Sequence, residues 1–378
     1  MNRWFSPFRL LAVVRKEFIQ MRRDRLTFAM IVGIPLMQMM LFGFAINSDP
    51  KHLPTVIQTA DTSPFTRAIV AALHHSSYFQ LIAQTETEAE ASQLLAAGDV
   101  QFVISIPQDF THRLLRGEQP SILLEADATD PAATSNALAA LTQIQQQALQ
   151  PLLRGPLSDL QAGVTPFQFT VHRLYNPEGI TQYNIVPGLM GVILTMTMII
   201  MTSLALTRET ERGTMENLLS MPVTPLEVMV GKIVPFIVVG YLQVAVILLG
   251  ARFIFGVPML GSISLLLMGT LIFIIANLTV GITFSSLARN QTQAMQMSFF
   301  FFLPSILLSG FMFPFRGMPQ WAQYLGEILP LTHFLRLVRG VLLKGNGWHL
   351  MLEHIWPLLV FFSVMMLVGL LRYRRTLD

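Results

Sequence analysis

Apolar and polar positions fall in long blocks along this chain. Leu26 to Ile46 is an uncharged run of about the twenty residues that a helix needs to cross hydrocarbon, and it predicts a first crossing. Later apolar blocks predict helices over Gln182–Arg208, Thr224–Phe255, Ser262–Ala288, Thr292–Met312 and Ile355–Leu371, which with the first make six. Between the first two blocks, from Asn47 to Gln182, the sequence turns polar, punctuated by Pro, Asp and Thr. Its apolar residues alternate between strand and helix periods there. Strands are expected near Thr55–Thr59, Tyr78–Gln84, Val100–Ile106, Ile122–Ala126 and Phe167–Leu174. Helices are expected over Ser63–His75, from a capping box at Thr85–Glu88 to Gly98, over Gln108–Leu115, and from Asp130-Pro131 to about Leu149. The expected fold is therefore membrane α-helical, with six transmembrane helices and an α/β extracytoplasmic domain inserted between helices 1 and 2.

Charge then orients the blocks. Arg3, Arg9, Arg15, Lys16, Arg22, Arg23 and Arg25 precede the first run, and Arg372, Arg374 and Arg375 follow the last, which places both termini in the cytoplasm. Within residues 1–25, Trp4, Phe8, Leu11, Val14, Phe18 and Met21 lie at helical spacing, so this segment is expected to lie in the interface plane. Residues 26–46 form helix 1, 47–182 the outer domain and 183–378 the remaining helices. One stretch opposes the rule. Arg316, Arg336, Arg339 and Lys344 sit on what should be the outer side. In that stretch, about 314–347, Pro319 opens a short helix that Pro330 stops, and Thr332 caps another to Leu343. Glu327, His333 and Arg336 are ionisable groups near the apolar boundary and stand as outer gate candidates.

Composition narrows the function classes. At 52% hydrophobic and 12% charged residues the chain is a polytopic membrane protein, since soluble domains carry about a quarter charged. The absence of cysteine excludes disulfides, thiolate metal sites and a cysteine nucleophile. The net charge of +3 does not point to nucleic acid, because the basic residues cluster beside apolar runs. No P-loop occurs: Gly231-Lys232 is followed by Ile233 and lacks the upstream glycine, so the chain cannot cradle a nucleotide in that way. Nor does any expected crossing carry an acid at mid-membrane; its polar residues are neutral, as at Gln38, Gln243, Asn277, Gln293 and Gln296. In the second crossing Met196, Met198 and Met201 suit either packing or a pliable substrate surface. In the outer domain Asp127 and Asp130 form no convincing carboxylate pair, Asp130 being better placed as a helix cap.

The most informative stretch is RETERGTMENLLSMPVTPLEVMVGK, Arg208 to Lys232. Gly213 breaks the preceding helix, Thr214–Met221 makes about two turns before Pro222, and Thr224, Pro225 and Glu227 start the next helix. Met215, Leu218 and Leu219 fall on one face of that short helix. The pattern resembles the segment after the second membrane helix in type-2 ABC transporter permeases, the membrane subunits of ATP-driven exporters. The resemblance implies that about 209–222 is a coupling helix docking on a separate ATP-hydrolysing subunit, with Glu209, Glu211, Arg212, Gly213, Thr214, Met215, Glu216, Leu218 and Leu219 as the coupling residues. It further implies an elbow helix over 1–25, re-entrant outer helices over 314–347, and a second permease subunit.

On this reading the chain is no enzyme, binds no cofactor and no metal, and leaves ATP and Mg to the partner ATPase. A periplasmic adaptor and membrane lipids complete the expected partners, in a bacterial cytoplasmic membrane, with an amphiphilic or drug-like substrate. Two other classes compete. An ion-coupled secondary transporter would carry its own energy coupling, and a membrane sensor would use the outer domain to bind a ligand.

Overall fold

The computed structural model describes residues 50–85, 87–153, 165–211 and 225–375, with the backbone path alone for 225–234 and 370–375. The expected elbow helix, first crossing and most of the coupling segment lie outside these residues.

Residues 53–174 build a five-stranded sheet from β1 (Leu53–Thr59), β2 (Phe79–Thr85), β3 (Phe102–Ile106), β4 (Ser121–Asp127) and β5 (Gln168–Leu174). The strand order is β2-β1-β3-β4-β5, and β3 with β4 is the one antiparallel pair, so the sheet is mixed. Among the described residues four helices serve it: α1 (Pro64–His75), α2 (Glu88–Ala97), α3 (Phe110–Leu115) and α4 (Pro131–Gln147). Alternation along β1 and β3 sorts the cores. Leu53, Ile57, Phe102 and Ile104 pack with α1, α3 and α4, while Val56 and Val103 pack with Ala91 and Leu95 of α2 on the opposite face. Helix starts follow local chemistry: Ser63 accepts from the Thr66 amide at α1, and Asp130 accepts from the Ala132 amide at α4. The capping box expected at Thr85–Glu88 does not form. β2 runs through Thr85, whose hydroxyl donates to the Thr87 carbonyl, and α2 begins at Glu88 with no side-chain cap.

The helical body comprises α5 (Thr181–Glu211), α6 (Pro225–Phe253), α7 (Ile263–Leu287), α8 (Gln291–Leu308), α9 (Gln320–Ile328), α10 (Pro330–Leu342) and α11 (Trp348–Arg375). Among the described residues, four spans are long and apolar enough to cross a membrane: Thr181–Glu211, Pro235–Phe253, Ile263–Leu287 and Trp348–Gly369. α8 is not among them, because Gln291, Gln293 and Gln296 dilute its first half. α7 is the central element, packed on α5, α10 and α11. Its Phe273 stacks on Phe334 of α10, ring centroids 4.0 Å apart and nearly parallel. α6 instead presents Val238, Leu242, Val246, Leu249 and Phe253 outward, a face suited to lipid.

Buried hydroxyls solve their own hydrogen-bonding problem. Thr195, Thr207, Thr270 and Thr283 each donate to the carbonyl four residues back, which keeps them satisfied where no water reaches. Met198 is fully buried, while Met196 and Met201 lie on the exposed face of α5, so the methionines divide between packing and surface. α10 corrects the sequence reading of its start. Pro330 is its first residue rather than a stop, and Thr332 lies inside it, donating from its hydroxyl to the Gly326 carbonyl. α8 also ends at Leu308, short of the expected Met312.

Gly281 fixes how closely α5 and α7 approach. A Cβ there would lie 2.9 Å from both the Ile199 carbonyl oxygen and the Thr202 Cβ. Gly250 of α6, by contrast, has nothing within 4 Å. Gly281→Ala is therefore expected to lower stability by about 1–3 kcal/mol through overpacking, and Gly250→Ala to be neutral or to stabilise by up to about 1 kcal/mol. Thermal unfolding of the two variants in one detergent, followed by tryptophan fluorescence, checks the opposite signs.

Candidate functional site

The outer gate candidates come together although they belong to two helices. Glu327 lies in the last turn of α9, and His333 and Arg336 in the first turns of α10. The tight α9–α10 corner at Leu329-Pro330 folds one helix back on the other, so residues nine apart meet. Arg336 grips Glu327 with both terminal nitrogens, at 3.0 and 2.6 Å, in the bidentate geometry that suits guanidinium and carboxylate. The same guanidinium lies 4.6 Å from the centre of the Phe315 ring. His333 is buried, its Nε2 2.8 Å from the Glu327 carbonyl oxygen. A carbonyl only accepts, so Nε2 carries the proton and Nδ1 is a bare acceptor, without a partner among the described residues. Burial holds the ring below its ordinary pKa, reinforced by Arg336, so His333 is neutral at physiological pH. Glu327 is also held below its ordinary value. Burial opposes this, and the two bonds from Arg336 with its charge overcome it.

The cluster lines a cleft of about 660 Å³ between α9, α10, the start of α11 and the end of α2. Sequence reasoning missed several of its members. His354 of α11 stands with its ring 6.3 Å from that of His333. Asp127, at the end of β4, holds Lys344 at 2.6 Å, with the two side chains only 7% and 8% exposed. Lys344 also donates to the Leu95 carbonyl and lies 5.1 Å from the Tyr175 ring centre. Tyr175 itself is pushed up to about 12 by burial and by the neighbouring Asp127 and Glu125 charges. Arg316 donates to the Gly98 and Asp99 carbonyls, and Asn346 to the Ala96 carbonyl. Arg339 bridges Gly310 O and Asn184 Oδ1. All four cations that oppose the positive-inside pattern thus have assigned partners. The signal was present in the sequence: cations expected on the outer side call for acceptors folded against them.

At the opposite end of the bundle only part of the coupling set is described. Arg212, Gly213, Thr214, Met215, Glu216, Leu218 and Leu219 lie outside the described residues, with the expected Thr224 cap. Glu209 is half-buried in the last turn of α5. Glu211 is exposed but committed within the chain, accepting from both the backbone and the side-chain amides of Gln291 at the start of α8. Arg208 reaches the same glutamine. Beside it Asn290 caps α8 by accepting from the Gln293 amide, while the Gln293 side chain accepts from the Arg289 amide. The end of α5 is thereby tied to the α7–α8 turn. Among the described residues no cluster of His, Asp or Glu has the makings of a metal site.

Comparison with known proteins agrees with this architecture. The family model described as ABC-2 family transporter protein matches residues 25–371. The chain is 30% identical to the probable multidrug ABC transporter permease YbhS of Escherichia coli K12, covering 98% of each chain. It is 28% identical to the probable multidrug ABC transporter permease YbhR of the same organism, over 93% of this chain and 94% of the relative. It is 30% identical to the inner membrane transport permease YhhJ, over 86% of each. With a family match over nearly its whole length and relatives of the same extent, this chain belongs to the ABC-2 transporter family and is the membrane subunit of an ABC transporter.

Proposed function

We propose that the chain is the permease of an exporter that moves an amphiphilic or drug-like molecule out of the cytoplasm or inner leaflet of a bacterial inner membrane. The observation that carries this reading is the family match over 25–371, together with relatives named as multidrug permeases. A sequence without a P-loop draws its energy from ATP and Mg held by a partner ATPase. Two permease copies, identical or related, pair around one path, and a periplasmic adaptor is a further partner on the outer side. Six crossings, with the sheet domain outside between the first and second, account for the basic termini.

In this arrangement residues 209–222 are the coupling element. Met215, Leu218 and Leu219 offer an apolar ridge to a groove on the ATPase, and Glu216 supplies a charge to the same contact. The tie from Glu211 to Gln291 passes motion of that element from α5 into α8. Glu327, His333 and Arg336 act at the other end, where a bidentate ion pair and a neutral histidine hold the α9–α10 corner shut.

Single cysteines at Gln93 and Thr376 in the otherwise cysteine-free chain are expected to react with an impermeant maleimide from opposite sides of the membrane. Reaction of both from the cytoplasm would overturn the topology.

Glu216→Lys is expected to weaken co-purification of the ATPase or to uncouple hydrolysis from export by roughly tenfold, an effect near 1.4 kcal/mol. It is a cleaner probe than Glu211→Lys, which also severs the bond to Gln291. Export at the full rate in the Glu216→Lys complex, or export driven by a proton gradient without ATP, would favour a secondary transporter.

His333→Ala is expected to lower export while the complex assembles and hydrolyses ATP at its basal rate. Loss of assembly, seen by size-exclusion chromatography of the complex, would assign the histidine a packing role instead.

A further inference from the structure

The sheet domain and the helical body meet across a seam with no shared apolar core. Among the described residues, the apolar clusters of the domain draw only on positions before 175, and those of the body only on positions after 182. What joins them is polar. Lys344 reaches Asp127 and the Leu95 carbonyl, Asn346 reaches the Ala96 carbonyl, and Arg316 reaches the Gly98 and Asp99 carbonyls. Three of these acceptors are the last carbonyls around the end of α2, where Gly98 turns the chain at a φ of +86° and the helix dipole favours cations.

Such a seam holds position well and resists separation weakly. A buried ion pair recovers its lost hydration when water enters, so pulling Lys344 and Asp127 apart into solvent costs far less than deleting one of them in place. Carbonyls and amides likewise exchange one partner for water. Apolar burial, which water cannot replace, is what the seam lacks, and polar interfaces between domains are the kind that permit relative motion.

The chain leaving the domain is built for a pivot. Tyr175 adopts a φ of +68° and Gly179 one of +66°, and between them Asn176 closes a loop by exchanging two hydrogen bonds with Ile180. A left-handed tyrosine is strained, and strain of this kind gathers at switch regions. The cleft described above lies directly under the seam, with Ala96, Gly98 and Asp127 on one wall and Arg336, Lys344 and His354 on the other. Its pairs Arg336–Glu327 and Lys344–Asp127 cancel in charge, so it selects no sign of ligand, but displacing the domain would open it outward.

We propose that the sheet domain is a lid over this cleft, latched by Lys344, Asn346 and Arg316 and hinged at 175–179, which lifts and reseats in each transport cycle. This rests on the exporter reading above. The lid belongs to the outward step: it closes the outer end of the path between cycles, and its latch breaks when the α9–α10 corner moves.

The absence of native cysteine makes the lid directly testable. In the permease–ATPase complex in nanodiscs, Ala96→Cys with Asn346→Cys is bridged by a short bifunctional methanethiosulfonate. The bridged complex is expected to hydrolyse ATP at least about fivefold more slowly than the same complex after dithiothreitol, as for other gating motions that limit turnover. Each single-cysteine variant, treated alike, should show the same rate before and after dithiothreitol. Equal rates before and after reduction, or failure of the pair to bridge, would overturn the lid. A second readout avoids the latch residues: spin labels at Gln93→Cys and Tyr324→Cys, both exposed, should gain a longer distance population on trapping with ATP and vanadate. One unchanged distance would overturn the proposal. If no ATPase accompanies the purified chain, the exporter reading fails instead.

Discussion

Every polar group that this chain carries into hydrocarbon has to find its partner within the chain, and much of the architecture follows from that demand. Long helices satisfy their own backbones, and the threonines of α5 and α7 bend their hydroxyls onto carbonyls one turn back. Ser203 and Ser298 turn to the Ile200 and Ala294 carbonyls and also meet each other, 3.0 Å apart, and so pin α8 to α5. The demand is not met everywhere. Thr202 Oγ1, Asn277 Oδ1 and Gln296 Oε1 are buried without a partner among the described residues. Unmet polar atoms inside an apolar bundle weaken it locally, and these lie on the three helices that pack around Gly281 and Ser298.

Where the sheet domain meets the helical body the same demand is met across domains. The Lys344 side chain is only 8% exposed, and a lone ammonium there would be untenable. Asp127 neutralises it, Leu95 supplies a carbonyl, and the Tyr175 ring faces its remaining side. Arg336 is handled within one corner by Glu327 and Phe315. The two solutions differ in reach. One ties together neighbours along the chain, and the other closes a loop of more than two hundred residues.

Local structure was legible in the sequence wherever one signal decided it. The sheet strands, the helix start at Ser63, the Asp130 cap and the α7–α8 turn at Arg289 lie where periodicity and capping chemistry put them. Errors arose where two signals shared a residue. Thr85 suits both a cap and a strand end, and the strand won because its neighbour β1 was there to pair with it. Pro330 suits both the end of one helix and the first turn of the next, and the structure uses it for the second. α11 starts at Trp348 rather than at the expected Ile355, and Glu353 and His354 in its first turns line the polar cleft. The gate candidates were visible as ionisable residues at an apolar boundary, whereas Asp127 was passed over. Its meaning depends on Lys344, 217 positions away, and no local pattern encodes that distance.

The seam between domain and body has one more property. Among the described residues, apart from Asp127 and the Tyr175 ring against Lys344, the groups that the body's side chains seize on the domain are main-chain oxygens, of Leu95, Ala96, Gly98 and Asp99. A main-chain oxygen is present whatever residue carries it, so substitutions along the outer surface of α2 leave the attachment intact as long as the helix ends in the same turn. The sheet domain is thus free to diversify the face it shows to its surroundings while keeping its seat, with Asp127 and the glycine turn at 98 as the fixed points of an otherwise exchangeable module.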